Sequence, residues 1–127
     1  MDWWEWGSDA FDEAAERDVP VLLSVGYSAC HWCHVMQRES YQNAEIASFL
    51  NRHFVPVKLD RELHGALDAF LIDYVEQTTG QAGWPLNVFL TPDLRPFFGG
   101  TYFPPDDRHG RIGFAALLRR IIDSWST

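Results

Sequence analysis

Both cysteines of this 127-residue chain lie at a point where one type of secondary structure gives way to another. Cys30 and Cys33 are separated by two residues and follow the run VLLSV at 21–25. A run that is apolar on both faces is typical of a strand that helices cover on each side. The pattern after Cys30 is helical as far as about Glu39. The sequence therefore predicts a strand, a short turn and a helix, with both sulfurs at the start of the helix.

The remaining pattern predicts an α/β fold. Further strands are expected at 54–59, 86–90 and 96–102, and helices after Ser8, after Asn43, over 63–75 and over 114–125. Strands joined through helices are parallel, whereas the short turn at 91–95 makes the last two antiparallel. Pro56 cannot donate to a ladder, so its strand is expected at an edge or with that position facing away from a neighbour. We expect one domain, 1–127, with a mixed four-stranded sheet flanked by helices on both faces.

Charge and composition exclude several classes of partner. Eighteen Asp and Glu residues against ten Lys and Arg give a net charge of −8, whereas nucleic acid and anionic membranes attract clustered cations. No apolar run is long enough for a transmembrane helix. The first residues lack the basic and apolar regions of a signal peptide, so we expect a cytoplasmic protein. In a reducing compartment, CxxC at a strand–helix junction indicates a redox or metal site.

The spacing of the two cysteines favours thiol–disulfide chemistry. A thiol at a helix N-terminus lies among unsatisfied N–H groups, which favour the reactive thiolate. We expect Cys30 to be this nucleophile, with its sulfur toward solvent. Cys33, one turn further, is expected to be the buried thiol that resolves a mixed disulfide. The pair itself would be the redox group, so no separate cofactor is expected.

Other chemistries fit the same residues. The segment CHWCH at 30–34 matches the C-x-x-C-H pattern of c-type haem attachment, in which His34 would be the axial ligand. Cys30, Cys33 and a histidine also form a potential zinc site, although the sequence has no second CxxC and no HxxxH segment. The remaining alternative is a non-catalytic module that binds a partner, in which the two cysteines only pack.

Four segments resemble one family. They are 26–36 (GYSACHWCHVM), 57–62 (VKLDRE), 79–92 (TGQAGWPLNVFLTP) and 99–104 (GGTYFP). Together they resemble the thioredoxin-like domain of the spermatogenesis-associated protein 20 family over nearly the whole chain. The resemblance implies a thioredoxin-like fold and a protein thiol or disulfide as partner. Members typically continue into a large α/α-toroid domain similar to carbohydrate-active enzymes, and residues 1–127 end before that domain.

The resemblance also implies roles for residues around the cysteines. His31 and Trp32 occupy the dipeptide that tunes the reduction potential in thioredoxin-like proteins, and we assign His34 to the same group. A protonated His31 would stabilise a thiolate and make the disulfide a stronger oxidant. A cis Trp84–Pro85 bond is implied as well. It would leave residue 84 able to pair with an extended substrate peptide, so these two residues are expected to form the substrate groove.

One position departs from ordinary thioredoxins. Those proteins carry a buried aspartate six residues before the first cysteine, where it serves proton transfer to the resolving thiol. Here that position is Ser24, whose neutral hydroxyl is poorly suited to the task. Lys58, Asp60 and Glu39 are the candidates to replace the aspartate.

Overall fold

The computed structural model describes residues 1–108 and 110–126, and over these residues the chain forms one mixed five-stranded sheet with five α-helices. The strands are β1 Trp4–Glu5, β2 Val21–Gly26, β3 Val55–Asp60, β4 Leu86–Leu90 and β5 Pro96–Gly100. The helices are α1 Ser8–Arg17, α2 His31–Met36, α3 Ala44–His53, α4 Gly65–Thr79 and α5 Phe114–Ser126. A π-helical turn, Gln37–Tyr41, continues α2 directly. Within the described part of the chain, no helix is long and apolar enough to cross a membrane.

The strand order is β1-β3-β2-β4-β5, which puts β2 at the centre. β2 and β3 are parallel, whereas β4 is antiparallel to both β2 and β5, so the predicted strand directions are confirmed. Gly26 at the end of β2 is level with Asp60, and Val25 is level with Leu86. The segment that carries the cysteines therefore leaves the sheet between the end of β3 and the start of β4.

The prediction of four strands was wrong by one. Residues Trp4–Glu5 form β1, which pairs in parallel with β3 through Trp4 with Val57 and Glu5 with Lys58. A two-residue strand is too short to show a periodic pattern, which is the signal that identifies a strand in a sequence. The fifth strand therefore depends on tertiary contacts with β3.

Pro56 lies inside β3, which is paired on both sides. The Val55 N–H donates to the Pro20 carbonyl oxygen at 3.1 Å and thus faces β2. Because successive residues of a strand direct their N–H groups to opposite sides, the Pro56 nitrogen faces away from β2. β1 begins its pairing only at Val57. The expectation that this position faces away from a neighbour is confirmed.

The core consists of two layers, one on each face of the sheet. On one face the buried side chains of α1 and α4 pack against β2, β3 and β4. On the other face Met36, Tyr41, Leu50 and Phe114 pack against Leu22 and neighbouring strand residues. Helices thus cover both faces, as expected.

Helix α4 does not direct all of its apolar residues toward the sheet. Leu63 precedes the helix and is 78% exposed, and Phe70 is 62% exposed. The face turned to the sheet carries Asp68, Leu71 and Val75 instead. The apolar residues of 63–75 span more than one helix face, so the pattern predicted the helix correctly but not the orientation of its faces.

Candidate active site

The cysteines lie where β2 passes into α2. The Cys30 N–H donates to the Tyr27 carbonyl oxygen at 3.1 Å, which closes the turn after β2. Cys30 is the N-cap residue of α2, and its Sγ accepts the Cys33 N–H at 3.2 Å. The two cysteines form a disulfide with their Cα atoms 5.2 Å apart. One of the N–H groups that a helix N-terminus leaves without a backbone acceptor thus points at Cys30 Sγ.

The two cysteines differ in exposure, in the opposite sense to the prediction. Cys30 is 3% exposed, whereas Cys33 is half-buried and lines a cleft of about 710 Å³ beside the ends of β2 and β3. Cys33 packs closely against β2, because a Cβ atom at Gly26 would lie only 3.0 Å from Cys33 Sγ. The prediction was wrong because exposure depends on which side chains the sheet brings against each cysteine, and spacing along the chain does not show this.

The residues between and after the cysteines have distinct surroundings. His31 and Trp32 are both exposed, and their rings meet edge-on with centroids 5.3 Å apart. Trp32, which is 53% exposed, also contacts Tyr102 at 5.3 Å. The His34 Nε2–H donates to the Ser28 carbonyl oxygen at 2.7 Å. His34 therefore holds the turn before Cys30, while His31 and Trp32 are accessible to a partner.

The Trp84–Pro85 bond is cis, as the resemblance implied. The Trp84 indole N–H donates to Asp68 Oδ1 at 2.8 Å, and Asp68 is 4% exposed. The Arg61 guanidinium lies 4.0 Å from the centre of the Trp84 ring and 5.4 Å from that of Tyr27. We call Tyr27, Arg61, Asp68 and Trp84 the arginine–tryptophan cluster. It fixes the indole by a hydrogen bond at its edge and a cation on its face.

The arginine–tryptophan cluster adjoins the disulfide. The Tyr27 ring lies 6.0 Å from the Trp84 ring, and the Tyr27 carbonyl oxygen accepts the Cys30 N–H. Pro85 is buried and lines the same cleft as Cys33. The structure thus places Trp84 and Pro85 next to the cysteines, as predicted.

A neutral hydrogen-bond network occupies the position where ordinary thioredoxins carry their aspartate. Tyr41 bonds to Ser24 and donates its hydroxyl to Asn87 Oδ1 at 2.6 Å. The Asn87 Nδ2 group donates to the Thr101 carbonyl oxygen at 2.8 Å. Burial raises the pKa of Tyr41 well above its ordinary value, although the bond to Ser24 acts in the opposite direction. No member of this network carries a charge at neutral pH.

The whole chain matches a known family. A family model described as Thioredox_DsbH, a protein of unknown function, DUF255, matches residues 1–127. The chain belongs to this DUF255 family. Spermatogenesis-associated protein 20 from Rattus norvegicus is 52% identical over 125 residues, and the protein of that name from Homo sapiens is 51% identical. The match covers 98% of this chain and 16% of each of those proteins. The chain thus spans about a sixth of the length of the curated relatives it matches.

Solved structures share the fold of this DUF255 chain. A DsbH oxidoreductase superposes with a TM-score of 0.67 and 17% identity, over 99% of this chain and 85% of that one. A thioredoxin from Thermus thermophilus has a TM-score of 0.64 and 17% identity, over 95% and 88% of the two chains. At these identities the likeness establishes a thioredoxin-like fold.

Three charged residues of this DUF255 chain are candidates to replace the aspartate that ordinary thioredoxins carry at the position of Ser24. Glu39 accepts the Tyr102 hydroxyl and pairs with Arg108 at 3.8 Å, so it is engaged elsewhere. Burial and the bond to Glu39 raise the pKa of Tyr102 to about 12. Lys58 and Asp60, by contrast, line the cleft that Cys33 lines. The structure therefore places two of the three candidates in the cleft that Cys33 lines.

The metal and haem alternatives have little support in this geometry. Among the described residues, no group of three or more His, Cys, Asp and Glu side chains is arranged to hold a metal ion. The two sulfurs are joined in a disulfide, and the His34 Nε2–H is hydrogen-bonded to the Ser28 carbonyl oxygen. Both cysteine sulfurs and the proposed axial nitrogen already have partners.

Asp68 and Arg61 were not identified from the sequence. A signal was present, because Asp68 falls within the apolar repeat of 63–75, where a carboxylate requires a polar partner. Its partners are not readable from the pattern, since Arg61 and Trp84 lie 7 and 16 residues away in separate loops. Only the fold brings these side chains together.

Proposed function

We propose that this DUF255 domain is a thiol–disulfide oxidoreductase in which Cys30 is the nucleophile and Cys33 resolves the mixed disulfide. The observation that carries the proposal is the Cys30–Cys33 disulfide at the start of α2, with the Cys33 N–H directed at Cys30 Sγ. When the disulfide is reduced, this donor stabilises a thiolate at Cys30, because a hydrogen bond to the charged form lowers a thiol pKa.

The reaction proceeds by two exchanges. The Cys30 thiolate attacks one sulfur of a partner disulfide, and the other partner sulfur leaves as a thiolate. Cys33 then loses its proton to water in the cleft and attacks Cys30 Sγ. The mixed disulfide breaks, the second partner sulfur leaves as a thiolate, and the Cys30–Cys33 disulfide forms. The partner disulfide is reduced to a dithiol, and the reverse sequence oxidises a partner dithiol.

The residues around Cys30 have supporting roles in this proposal. A positive charge on the His31 imidazole would stabilise a thiolate at Cys30 and make the disulfide a stronger oxidant. Exposed Trp32 contacts the incoming partner, and His34 positions the turn before Cys30 through Ser28. Trp84 and Pro85 form the groove for an extended segment of a partner protein, in which Trp84 is held in place by Asp68.

Trapping of mixed disulfides tests the proposed roles. Cys33→Ser is incubated with an oxidised protein that has an accessible disulfide, and adducts are separated by non-reducing electrophoresis. We expect adducts with Cys33→Ser and none with the matched control Cys30→Ser. Cys30 should also alkylate with an apparent pKa below the ordinary thiol value of about 8.5. Slow alkylation at an ordinary pKa together with no adduct would refute the proposal.

A non-catalytic interaction module is the second candidate function. Trp32, Leu63 and Phe70 are large apolar side chains that are more than half exposed, and the curated relatives are about six times longer than this chain. In such proteins the toroid domain of the family would be a candidate to cover these side chains. A chain with both cysteines replaced by serine would then keep its partner binding.

The cytoplasmic location of the protein stays a prediction.

A further inference from the structure

The cleft beside Cys33 is a second approach to the disulfide. The arginine–tryptophan cluster adjoins Cys30, whereas the lining of the cleft, over the described residues, includes Cys33 and not Cys30. Its volume of about 710 Å³ lies within the range of about 300–1,000 Å³ that small-molecule sites occupy. The cleft thus gives access to Cys33, and Tyr27 and Pro85 in its lining connect it with the arginine–tryptophan cluster and the proposed partner groove.

Cys33 lies against β2 at the floor of the cleft, beside two strand positions with small residues. Position 26 is glycine, and a Cβ atom there would lie 3.0 Å from Cys33 Sγ and 3.6 Å from its Cβ. Ser24, also in the lining, is smaller than the aspartate that ordinary thioredoxins carry. At these two strand positions, therefore, no large side chain lies between a ligand in the cleft and Cys33.

The walls of the cleft carry partners for both charges of an amino acid. Lys58, the one lysine of the sequence, is exposed, and its Nζ lies 5.8 Å from the centre of the Trp3 ring. The Lys58 ammonium suits a carboxylate. Asp60, also in the lining, suits an ammonium group.

We propose that this cleft binds a low-molecular-weight thiol of the amino-acid or short-peptide class, which exchanges directly with Cys33. The inference rests on the proposed thiol–disulfide function and adds a second substrate class to it. Macromolecular partners react at Cys30 from the side of Trp84, whereas the small thiol reacts at Cys33 from the cleft.

The small thiol reduces the protein disulfide in two exchange steps. The ligand thiolate forms a bond with Cys33 Sγ, the Cys30–Cys33 bond breaks, and its electron pair leaves on Cys30 Sγ. A second ligand thiolate attacks the ligand sulfur of this mixed disulfide, and Cys33 leaves as a thiolate. In sum, two ligand thiols become one ligand disulfide, and the protein disulfide becomes a dithiol that takes up the two protons.

The test compares two thiols as reductants of the oxidised chain. Glutathione carries amino-acid charges, whereas 2-mercaptoethanol has none beyond its thiolate, and the reduction rate is followed by alkylation of the freed cysteines. For Lys58→Glu we expect the glutathione rate to fall about fivefold relative to the mercaptoethanol rate, the size expected for one partly exposed ion pair. The matched control is Arg120→Glu, which makes the same charge change at an exposed position of α5 and should leave that ratio unchanged.

A second measurement locates the adduct. When Cys30→Ser is treated with glutathione disulfide, intact-mass spectrometry should show the addition of one glutathione, on Cys33. Adding Lys58→Glu to this variant should slow the formation of the adduct. The inference is overturned if Cys33 stays unmodified while Cys30 in Cys33→Ser is modified, or if Lys58→Glu lowers both reduction rates equally. If protein trapping fails while the Cys33 adduct forms, the protein-partner reaction is refuted and the cleft site stands.

Discussion

The turn before Cys30 belongs to a cluster of charged and aromatic side chains, whereas Cys33 lines an open cleft that is backed by a neutral network. On the first side, a buried carboxylate, a guanidinium and two rings fix the segment beside the cis bond. On the second side, the Tyr41 hydroxyl forms hydrogen bonds with Ser24 and Asn87, and none of these side chains is charged at neutral pH. The contrast teaches that the two ends of one disulfide can have different surroundings, and the proposed function assigns partner docking to the first side and resolution to the second.

The largest expected effect comes from the rigid side. Asp68→Ala leaves the Trp84 indole N–H and the Arg61 guanidinium without their acceptor, so the free energy of unfolding should fall by about 2–3 kcal/mol. Urea unfolding measures this value. The control is Glu76→Ala, an exposed change on the same helix that should cost less than about 0.5 kcal/mol. Equal stabilities of the two variants would show that the cluster is not rigidly held.

The neutral network gives the next effect. Tyr41→Phe removes the donor to Asn87 Oδ1 and should lower the free energy of unfolding by about 1–2 kcal/mol at pH 7. Burial raises the pKa of Tyr41 from its ordinary 10.0. The stability from this raised pKa is fully present below pH 10 and is lost as the pH rises further, because the unfolded chain ionises first. Between pH 9 and 11.5 the wild type should therefore lose more stability than Tyr41→Phe, whereas parallel curves would contradict the buried neutral network.

A carboxylate introduced at position 24 tests the difference between the charged cluster near Cys30 and the neutral network near Cys33. Ser24→Asp restores the carboxylate of ordinary thioredoxins, so the release of a partner from the mixed disulfide should gain a new pH-dependent step. Stopped-flow measurement of release against pH shows it. Ser24→Asn is the matched neutral control and should keep the wild-type profile. Identical profiles for Asp and Asn would mean that position 24 does not communicate with Cys33.

The smallest effect on stability is expected at the exposed ring. Trp32→Ala should change the free energy of unfolding by less than about 0.5 kcal/mol, because the ring is 53% exposed. It should nevertheless slow adduct formation between Cys33→Ser and a protein disulfide, while the rate with a small disulfide is unchanged. A parallel loss with both reagents would show that Trp32 acts on Cys30 itself and not on partner contact.

The sequence was sufficient for most of the fold. The apolar run at 21–25 and the turn at 91–95 predicted the central strand and the final hairpin, because both signals are local. β1 was missed because two residues have no period. The face of α4 that packs on the sheet was not predictable, because the apolar residues of α4 cover more than one side of the helix and Phe70 is exposed.

The site was predictable only in part. Spacing located Cys30 and Cys33 at the junction of a strand with a helix, and the family resemblance implied the cis Trp84–Pro85 bond. The exposure of Cys33 was not predictable, because it depends on which side chains from distant segments line the cleft beside it. The partners of Asp68 were equally hidden, since Arg61 and Trp84 reach it from separate loops. Contacts between distant segments are what the pattern along one chain does not contain.

The reduction potential of the Cys30–Cys33 pair tests the central claim most directly. It is measured by equilibrating the chain with glutathione or dithiothreitol redox buffers and counting free thiols after alkylation. A redox-active pair should have a potential in the range of thioredoxin-like oxidoreductases, about −270 to −120 mV. A potential below about −300 mV, typical of a structural disulfide, would contradict the account.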